Sequence, residues 1–428
     1  MKWSRYNYFF EGELKFFLYN SLSNSFAEFD SDTYHELYRM KELGQTEVKD
    51  EELKKHLILM KAFVENDQDE INKIKYFTLL RRFNDGTLHL TINPTLDCNF
   101  ACSYCFEGKH PHIYMTDEVE DEIVEYIKKY KQARYLSITW FGGEPLLAFK
   151  RIVSLTEKIK QVGVDFGAGM ITNGYLLNKK IVDKLTSLNI RALQITIDGL
   201  APLHDGRRHL VSGKGTFERI VDNIDLLKKY APEVNVSVRV NIDETNKDDF
   251  IKLYRMFHEK RYSHFNIAPA FVDDISGCQI NNVLFNRKKQ AAFLIELQEK
   301  YGLDFSYFYP KNMRYECPVR NRNMVVIGPE GELYKCWNDV GNKQQVVGYL
   351  NGEIINEKLL LRYLNGADPF DDANCKECLL LPVCGGGCPY IRLKKEYEGA
   401  NVDPCSLLKD NMDKFLLLHY HNSKSSKD

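Results

Sequence analysis

Cys98-Asn99-Phe100-Ala101-Cys102-Ser103-Tyr104-Cys105 follows directly on a strand-like run, Leu88 to Thr95 (LHLTINPT). Three thiolates this close can hold three corners of a cubane iron-sulfur cluster, leaving the fourth iron open to a substrate. A zinc knuckle with His110 as fourth ligand, or a buried thiol cluster, fits the same cysteines. Beyond the loop, apolar periodicity alternates between helix and strand. Helices are expected near Asp117 to Tyr130, Lys150 to Val162, Lys179 to Leu188, Phe217 to Tyr230 and Asp248 to Lys260. Strands are expected at YLSITWF (135–141), GAGMITNG (167–174), ALQITID (192–198), VNVSVRVNID (234–243) and HFNIAPA (264–270). About six βα units imply an α/β fold with a parallel sheet closed or partly closed as a barrel. Its chemistry belongs at the C-terminal ends of the strands.

Composition sets the surroundings. The 428 residues suggest roughly three domains, and a net charge of -2 excludes a strongly basic nucleic-acid binder. No apolar run approaches a membrane span, and MKWSRYNYFFEGELK lacks the features of a signal peptide. A cytoplasmic, reducing address follows, with no membrane and no nucleic acid among the partners. The 11 cysteines then read as metal ligands rather than disulfides. Their distribution marks three parts: none before residue 98, one tight cluster in the middle, and seven between Cys317 and Cys405. Cys278 stands apart and reads as a buried small hydrophobe.

C-x3-C-x2-C after a first barrel strand resembles the radical S-adenosylmethionine (SAM) superfamily. The resemblance implies that SAM chelates the open iron of a [4Fe-4S] cluster on Cys98, Cys102 and Cys105, and that its reductive cleavage yields a 5′-deoxyadenosyl radical. Gly142-Gly143-Glu144-Pro145 closes the second strand. It resembles the family turn that receives the methionine ammonium, though the same residues suit a plain strand-to-helix turn. Tyr104 matches the aromatic position beside the SAM adenine. Thr172-Asn173-Gly174 and Thr196-Ile197-Asp198-Gly199 end the third and fourth strands, placing Asn173 and Thr196 as cofactor contacts. His204-Asp205-Gly206-Arg207-Arg208 resembles the DG-x4-HD-x2-R pattern of one subfamily, which puts Arg208 near the SAM ribose or carboxylate. Arg239 and Asn241 on the fifth strand read as facing alternate sides.

Toward the C-terminus, Cys317 precedes Gly331 and Cys336, then Cys375-x2-Cys378-x5-Cys384-x3-Cys388, then Cys405. A zinc ribbon on Cys375, Cys378, Cys384 and Cys388 would strand the other three. The array resembles the SPASM domain, which implies two auxiliary clusters and three [4Fe-4S] clusters in all. By that resemblance Cys375, Cys378, Cys384 and Cys405 hold the distal one. Cys317, Cys336 and Cys388 hold the nearer one, which keeps a place for a substrate thiolate.

Residues 1 to about 85 begin with strand-like YNYFF, LKFFLYN and SFAEFD. Helical stretches follow at Asp32 to Leu43, Asp50 to Glu65 and Ile71 to Phe83. This order suggests a winged-helix-like domain, and 13 Lys and Arg against 16 Asp and Glu, a net of -3, is the wrong sign for gripping phosphates. It resembles the PqqD-like recognition element of peptide maturases. The third strand (Ser25 to Phe29) and third helix would then form a groove for the leader of a precursor peptide, with Arg81 and Arg82 pairing acidic leader residues.

The expected organisation is therefore 1–86 recognition domain, 87–310 partial (β/α)6 radical SAM barrel and 311–428 SPASM domain. The expected function is a radical SAM oxidoreductase, a maturase that forms a thioether or carbon-carbon crosslink in a ribosomally made peptide. Its electron donor would be a flavodoxin or ferredoxin. Formylglycine formation on sulfatases is the first alternative. It is opposed by Trp337 standing where that family carries a carboxylate directly after the G-x4-C cysteine, with Asp339 two residues further on. Peptide epimerisation is a second alternative. An iron-sulfur or zinc winged-helix regulator is a third, of another class. The tail HNSKSSKD reads as disordered.

Overall fold

A computed structural model describes residues 1–108, 110–262, 264–272, 283–303, 309–310 and 316–425. Cys278 lies outside the described residues. The chain forms two compact units, one of residues 1–83, 286–320 and 365–428, the other of 84–285 and 321–364.

In chain order the first unit begins with β1 (Lys2–Trp3), β2 (Asn7–Glu11), β3 (Phe16–Asn20), β4 (Ser25–Phe29), α1 (Ser31–Glu42), α2 (Glu51–Leu59), β5 (Phe63–Val64) and α3 (Asp67–Arg82). β2, β3 and β4 form an antiparallel meander, and β1 pairs with β5. The period-2 pattern of the meander gives it two apolar faces. Phe9, Leu18, Ala27 and Phe29 pack on Leu37 and Met40 of α1 and Leu57 of α2. On the opposite face, Phe17 and Phe26 meet Tyr420. The expected second helix stops at Leu59 because Phe63 and Val64 turn back to pair with Trp3 and Lys2.

The second unit is built on β6 (Thr87–Ile92), α4 (Asp117–Lys129), β7 (Tyr135–Trp140), α5 (Phe149–Val162), β8 (Asp165–Thr172), α6 (Lys179–Val182), β9 (Ile190–Thr196), α7 (Ala201–Arg207), α8 (Phe217–Tyr230), β10 (Asn235–Ile242), α9 (Phe250–Glu259) and β11 (Phe265–Phe271). β6 to β11 lie side by side in chain order and all parallel. The α/β alternation expected from periodicity is therefore present. After α10 (Arg287–Tyr301) of the first unit come β12 (Met324–Ile327), β13 (Glu332–Tyr334) and β14 (Gly348–Tyr349), then α11 (Glu357–Asn365). β12 runs parallel to β6 and carries β13 and β14 outward, so that among the described residues the sheet has nine strands with β11 and β14 at its edges and is open. Arg239 and Asn241, two apart on β10, share one face rather than alternating.

The first unit is completed by α12 (Ala373–Lys376), α13 (Leu381–Cys384), α14 (Pro389–Glu398) and α15 (Met412–Ser425). Residues 421–425, expected to be disordered, continue α15, where Tyr420 and Lys424 both reach Glu28 of β4. α3 does not back β4. Its Ile71 and Ile74 pack with Tyr6, Phe370, Leu381 and Cys375. Among the described residues no helix is long and apolar enough to cross a membrane.

Arg82 is not available to an acidic peptide. Its side chain is 2% exposed and paired bidentately with Glu316 at 2.7 to 3.1 Å and with Asp368 at 2.7 Å. Arg320, held by the carbonyls of Gly366 and Ala367, faces the same Glu316. Removing one member of such a buried set leaves the others uncompensated, at about 3–5 kcal/mol. Arg82→Met is therefore expected to lower the denaturant midpoint sharply, whereas Lys75→Met on the exposed side of α3 stays within about 0.5 kcal/mol of wild type.

Candidate active site

The cysteine loop leaves the C-terminal end of β6 and is held from two sides. Along one, residues 99–103 run beside 207–211, with Ala101 N–H donating to His209 O (3.0 Å), Ser103 N–H to Arg207 O (3.2 Å) and Val211 N–H to Asn99 O (3.0 Å). Along the other, the Gly142-Gly143 turn after β7 lies against the backbone of 95–97. Gly142 has φ +111°, and a Cβ there would meet Thr95 O at 2.4 Å; one on Gly143 would meet Asp97 O at 2.3 Å. Only glycine fits at either position.

Glu144 is fully buried. Its carboxylate accepts from Leu146 N–H (3.0 Å), Thr172 Oγ1 (2.7 Å) and Asn173 N–H (2.7 Å), tying the turn after β7 to the end of β8. Burial pushes its pKa up, against these three bonds and Arg208. Glu144 braces the site from behind, while Gly142 and Gly143 face the cavity.

That cavity, about 420 Å³, opens over the strand ends. Cys98, Cys102 and Cys105 line it with Tyr104, Asn173, Thr196 and Arg208. All the proposed cofactor residues except Glu144 thus share one wall. Arg239 and Asn241 line it too, as do residues the sequence reading passed over: Phe106, Glu107, Phe141, Phe271 and Asn338. Phe106 stacks on Phe141, and Phe141 meets Trp337 at 5.7 Å between centroids, giving the cavity an aromatic side.

Tyr104 is a hub of the polar side. Its hydroxyl donates to Asp198 Oδ2 (2.5 Å) and accepts from Arg208 Nη1 (2.7 Å) and Asn241 Nδ2 (3.1 Å). Arg207 lies over its ring at 5.0 Å and donates to Asp198 and Asp243. Burial holds the Tyr104 phenol above its ordinary pKa, so it stays a donor. Burial and the two arginines keep His204 neutral. Its Nδ1 accepts from Asp198 N–H (3.2 Å), which leaves the proton on Nε2 to donate to Thr216 Oγ1 (3.1 Å). That hydroxyl in turn donates to Arg208 O (2.6 Å). Asp198 and His204, read from sequence as parts of turn motifs, therefore position Tyr104 and Arg208. The Asp-Gly and His-Asp spacing was the available signal.

The site fits a cluster better than one metal ion. The only set of cysteine, histidine and carboxylate ligand atoms all within 4.8 Å of one another among the described residues is Cys105, Glu107 and His110. Cys98, Cys102 and Cys105 are thus spread wider than the roughly 3.8 Å edge of a zinc tetrahedron with 2.3 Å Zn–S bonds. No three thiols of Cys375, Cys378, Cys384 and Cys388 come within 4.8 Å of one another either, so neither zinc reading is assembled among the described residues. Burial pushes all three loop thiols above their ordinary pKa, and a bound metal would restore their thiolate form. Arg208 Nε and Glu107 Oε1 are buried with no hydrogen-bond partner, polar atoms that a ligand in the cavity would satisfy. Burial, with the charge of Glu144, pushes the Glu107 carboxyl up to about 7.

Three thiols and a polar wall thus face one cavity at the mouth of a parallel sheet. Residues 92–257 match the radical SAM superfamily. The chain is 30% identical over 350 residues to the serine-type anaerobic sulfatase-maturating enzyme of Bacteroides thetaiotaomicron, spanning 71% of this chain and 82% of that protein. It is 24% identical over 337 residues to the cysteine-type enzyme of Clostridium novyi, spanning 71% and 88%. Two solved structures share the fold. Native anSMEcpe with bound AdoMet and the Cp18Cys peptide matches at TM-score 0.59 and 20% identity, over 78% of this chain and 98% of that one. Streptococcus suis SuiB bound to precursor peptide SuiA matches at 0.54 and 16%, over 93% and 97%. The chain belongs to the radical SAM superfamily, and the family implies a [4Fe-4S] cluster and SAM.

Tyr104→Phe removes the oxygen shared by Arg208, Asn241 and Asp198. It is expected to weaken SAM binding by about tenfold, the worth of one hydrogen bond to a charged group. Equilibrium binding at unchanged iron content checks this.

Proposed function

We propose that this radical SAM enzyme abstracts a hydrogen from a ribosomally made precursor peptide and closes a thioether or carbon-carbon crosslink. The observation that carries the choice is at Trp337. It lines the cavity directly after Cys336, while Asp339 is 3% exposed and its Oδ2 accepts from Tyr363 OH at 2.6 Å. The carboxylate expected of a formylglycine-forming site at that position is thus replaced by an indole, and the next carboxylate along is turned away. Two neighbours of this fold are peptide-bound, SuiB to the precursor peptide SuiA and anSMEcpe to the Cp18Cys peptide. Sequence identity to the sulfatase-maturating enzymes favours formylglycine formation as the second reading.

In this reading Cys98, Cys102 and Cys105 would hold the [4Fe-4S] cluster, which with SAM would supply the hydrogen-abstracting chemistry, and an auxiliary cluster would take up the electron left when the crosslink closes. Gly142 and Gly143 give the methionine end backbone polar groups without side chains in the way. Arg208, placed by Tyr104, offers Nε to an anionic or hydroxyl group of SAM, and Asn173 and Thr196 complete that wall. Phe106, Phe141 and Trp337 exclude water from the side where the peptide enters. The C-terminal cysteine spacing supports two auxiliary clusters, on Cys375, Cys378, Cys384 and Cys405 and on Cys317, Cys336 and Cys388. The N-terminal unit, PqqD-like in its element order, would take the leader as a strand added to the outer edge of β4. A flavodoxin or ferredoxin would supply the electron.

The test is anaerobic incubation of reconstituted enzyme, SAM and reductant in deuterated water with a candidate precursor peptide. Loss of two hydrogens with two residues joined on fragmentation is the expected result. A hydrazide-reactive aldehyde, with the same loss from a serine or with exchange of sulfur for oxygen at a cysteine, establishes formylglycine, and deuterium gain without loss establishes epimerisation. 5′-Deoxyadenosine is expected to vanish in Cys102→Ala, and its absence from wild type would leave only a regulatory role.

A further inference from the structure

Two of the four cysteines assigned to the distal auxiliary cluster have a cation at the sulfur, Arg392 at Cys375 and Lys409 at Cys405, each with a carboxylate beside it, Asp372 (3.6 Å from Cys375 Sγ) and Asp403. Arg392 on α14 is buried, 7% exposed, and every one of its nitrogens is directed. Nε donates to Ala367 O at 2.7 Å and Nη2 to Asp372 Oδ2 at 3.0 Å. Nη1 points at Cys375 Sγ at 3.3 Å, with Gly386 O at 3.4 Å. The guanidinium is thus aimed by two backbone carbonyls and a carboxylate at one sulfur. On the other side of the set, Lys409 Nζ lies 3.6 Å from Cys405 Sγ. The loop joining these ligands is as constrained as the turn in the active site. Gly385, Gly386 and Gly387 all have positive φ, and a Cβ on Gly387 would stand 1.9 Å from Pro404 O. Only glycine lets the 384–388 turn lie against the chain that carries Cys405. The donor set fits a cluster: four thiols, wider than a single-ion site, with a buried cation to balance thiolate charge.

We propose that Arg392, assisted by Lys409, is a positioning residue that sets the reduction potential of this cluster through N–H···S hydrogen bonds. The proposal rests on the reading above that these four cysteines hold an auxiliary cluster. The physical reason is charge. Reduction adds one electron to the cluster, and hydrogen bonds to its sulfurs and a cation held out of water favour the more negative state. Removing them lowers the potential. A solvated lysine does less than a buried arginine, because water screens it.

The experiment is an EPR-monitored redox titration of the reconstituted full-length enzyme, with this cluster identified by the signal and iron that Cys378→Ser removes. Arg392→Gln is expected to cut the reduced-to-oxidised ratio at the wild-type midpoint by roughly tenfold, about 59 mV for a one-electron couple. Arg392→Lys recovers part of the shift, and Lys409→Met gives a smaller one in the same direction. An Arg392→Gln enzyme with full iron and an unchanged midpoint overturns the proposal. Should that variant lose its iron, Lys409→Met decides: a lowered midpoint supports the proposal and an unchanged one overturns it. If Cys378→Ser removes neither iron nor signal, the auxiliary-cluster reading itself fails, a result distinct from either.

Discussion

Three strand ends are held together by backbone in contact with backbone. Gly142 and Gly143 lie so close to Thr95, Leu96 and Asp97 that no side chain fits between them, and Glu144 N–H donates to Asp97 O at 2.8 Å. That contact fixes where the loop of Cys98, Cys102 and Cys105 departs from β6. The Glu144 carboxylate then reaches the end of β8, so β6, β7 and β8 are registered at their C-terminal ends by two glycines and one buried acid. Asp97 closes the arrangement from outside, accepting from Tyr114 OH at 2.6 Å beside His112. The cavity exists because these strand ends cannot slide past one another.

The polar wall depends on a second constraint, the cost of burying charge. Arg208 is buried, and a guanidinium out of water persists only when its neighbours are placed for it. Tyr104, Asp198 and Asn241 provide that, and His204, kept neutral, props Asp198 without adding a third positive charge. Each group is held by a partner on a different strand end or loop, so the geometry is set before a ligand arrives. The aromatic side is built differently. Phe106, Phe141 and Trp337 come from three separate segments and meet by shape alone.

Much of this was legible in the sequence because it is local. The cysteine spacing, the paired glycines and the alternation of periods each lie within a few residues, and β6 to β11 appear where periodicity put them. What was not legible depends on pairing across long separations. Nothing in the run from Met324 to Ile327 says that it lies alongside β6 rather than starting a sheet of its own. Trp337 and Phe141 meet across 196 positions of the chain. Arg82 looked like a surface cation because helix ends usually are solvated, and only Glu316 and Asp368, remote in sequence, make it a buried one. Glu144 shows the opposite limit. The motif places it in the turn after β7, and its carboxylate is spent on bracing β8, which no motif could express.

Helix α3 and the four-cysteine segment share a core. Tyr6, Ile71 and Ile74 pack with Phe370, Leu381 and Cys375. Ser21 Oγ bonds Leu379 O, and Arg5 reaches Lys376 O. A recognition module joined by a flexible linker would leave the cysteine ligands indifferent to its loss. Here the same apolar contacts that hold α3 in place also position Cys375, and the ion set around Arg82 ties the end of α3 to Glu316, next to Cys317. Helix α3 and the segment that carries Cys375 are therefore packed as one piece.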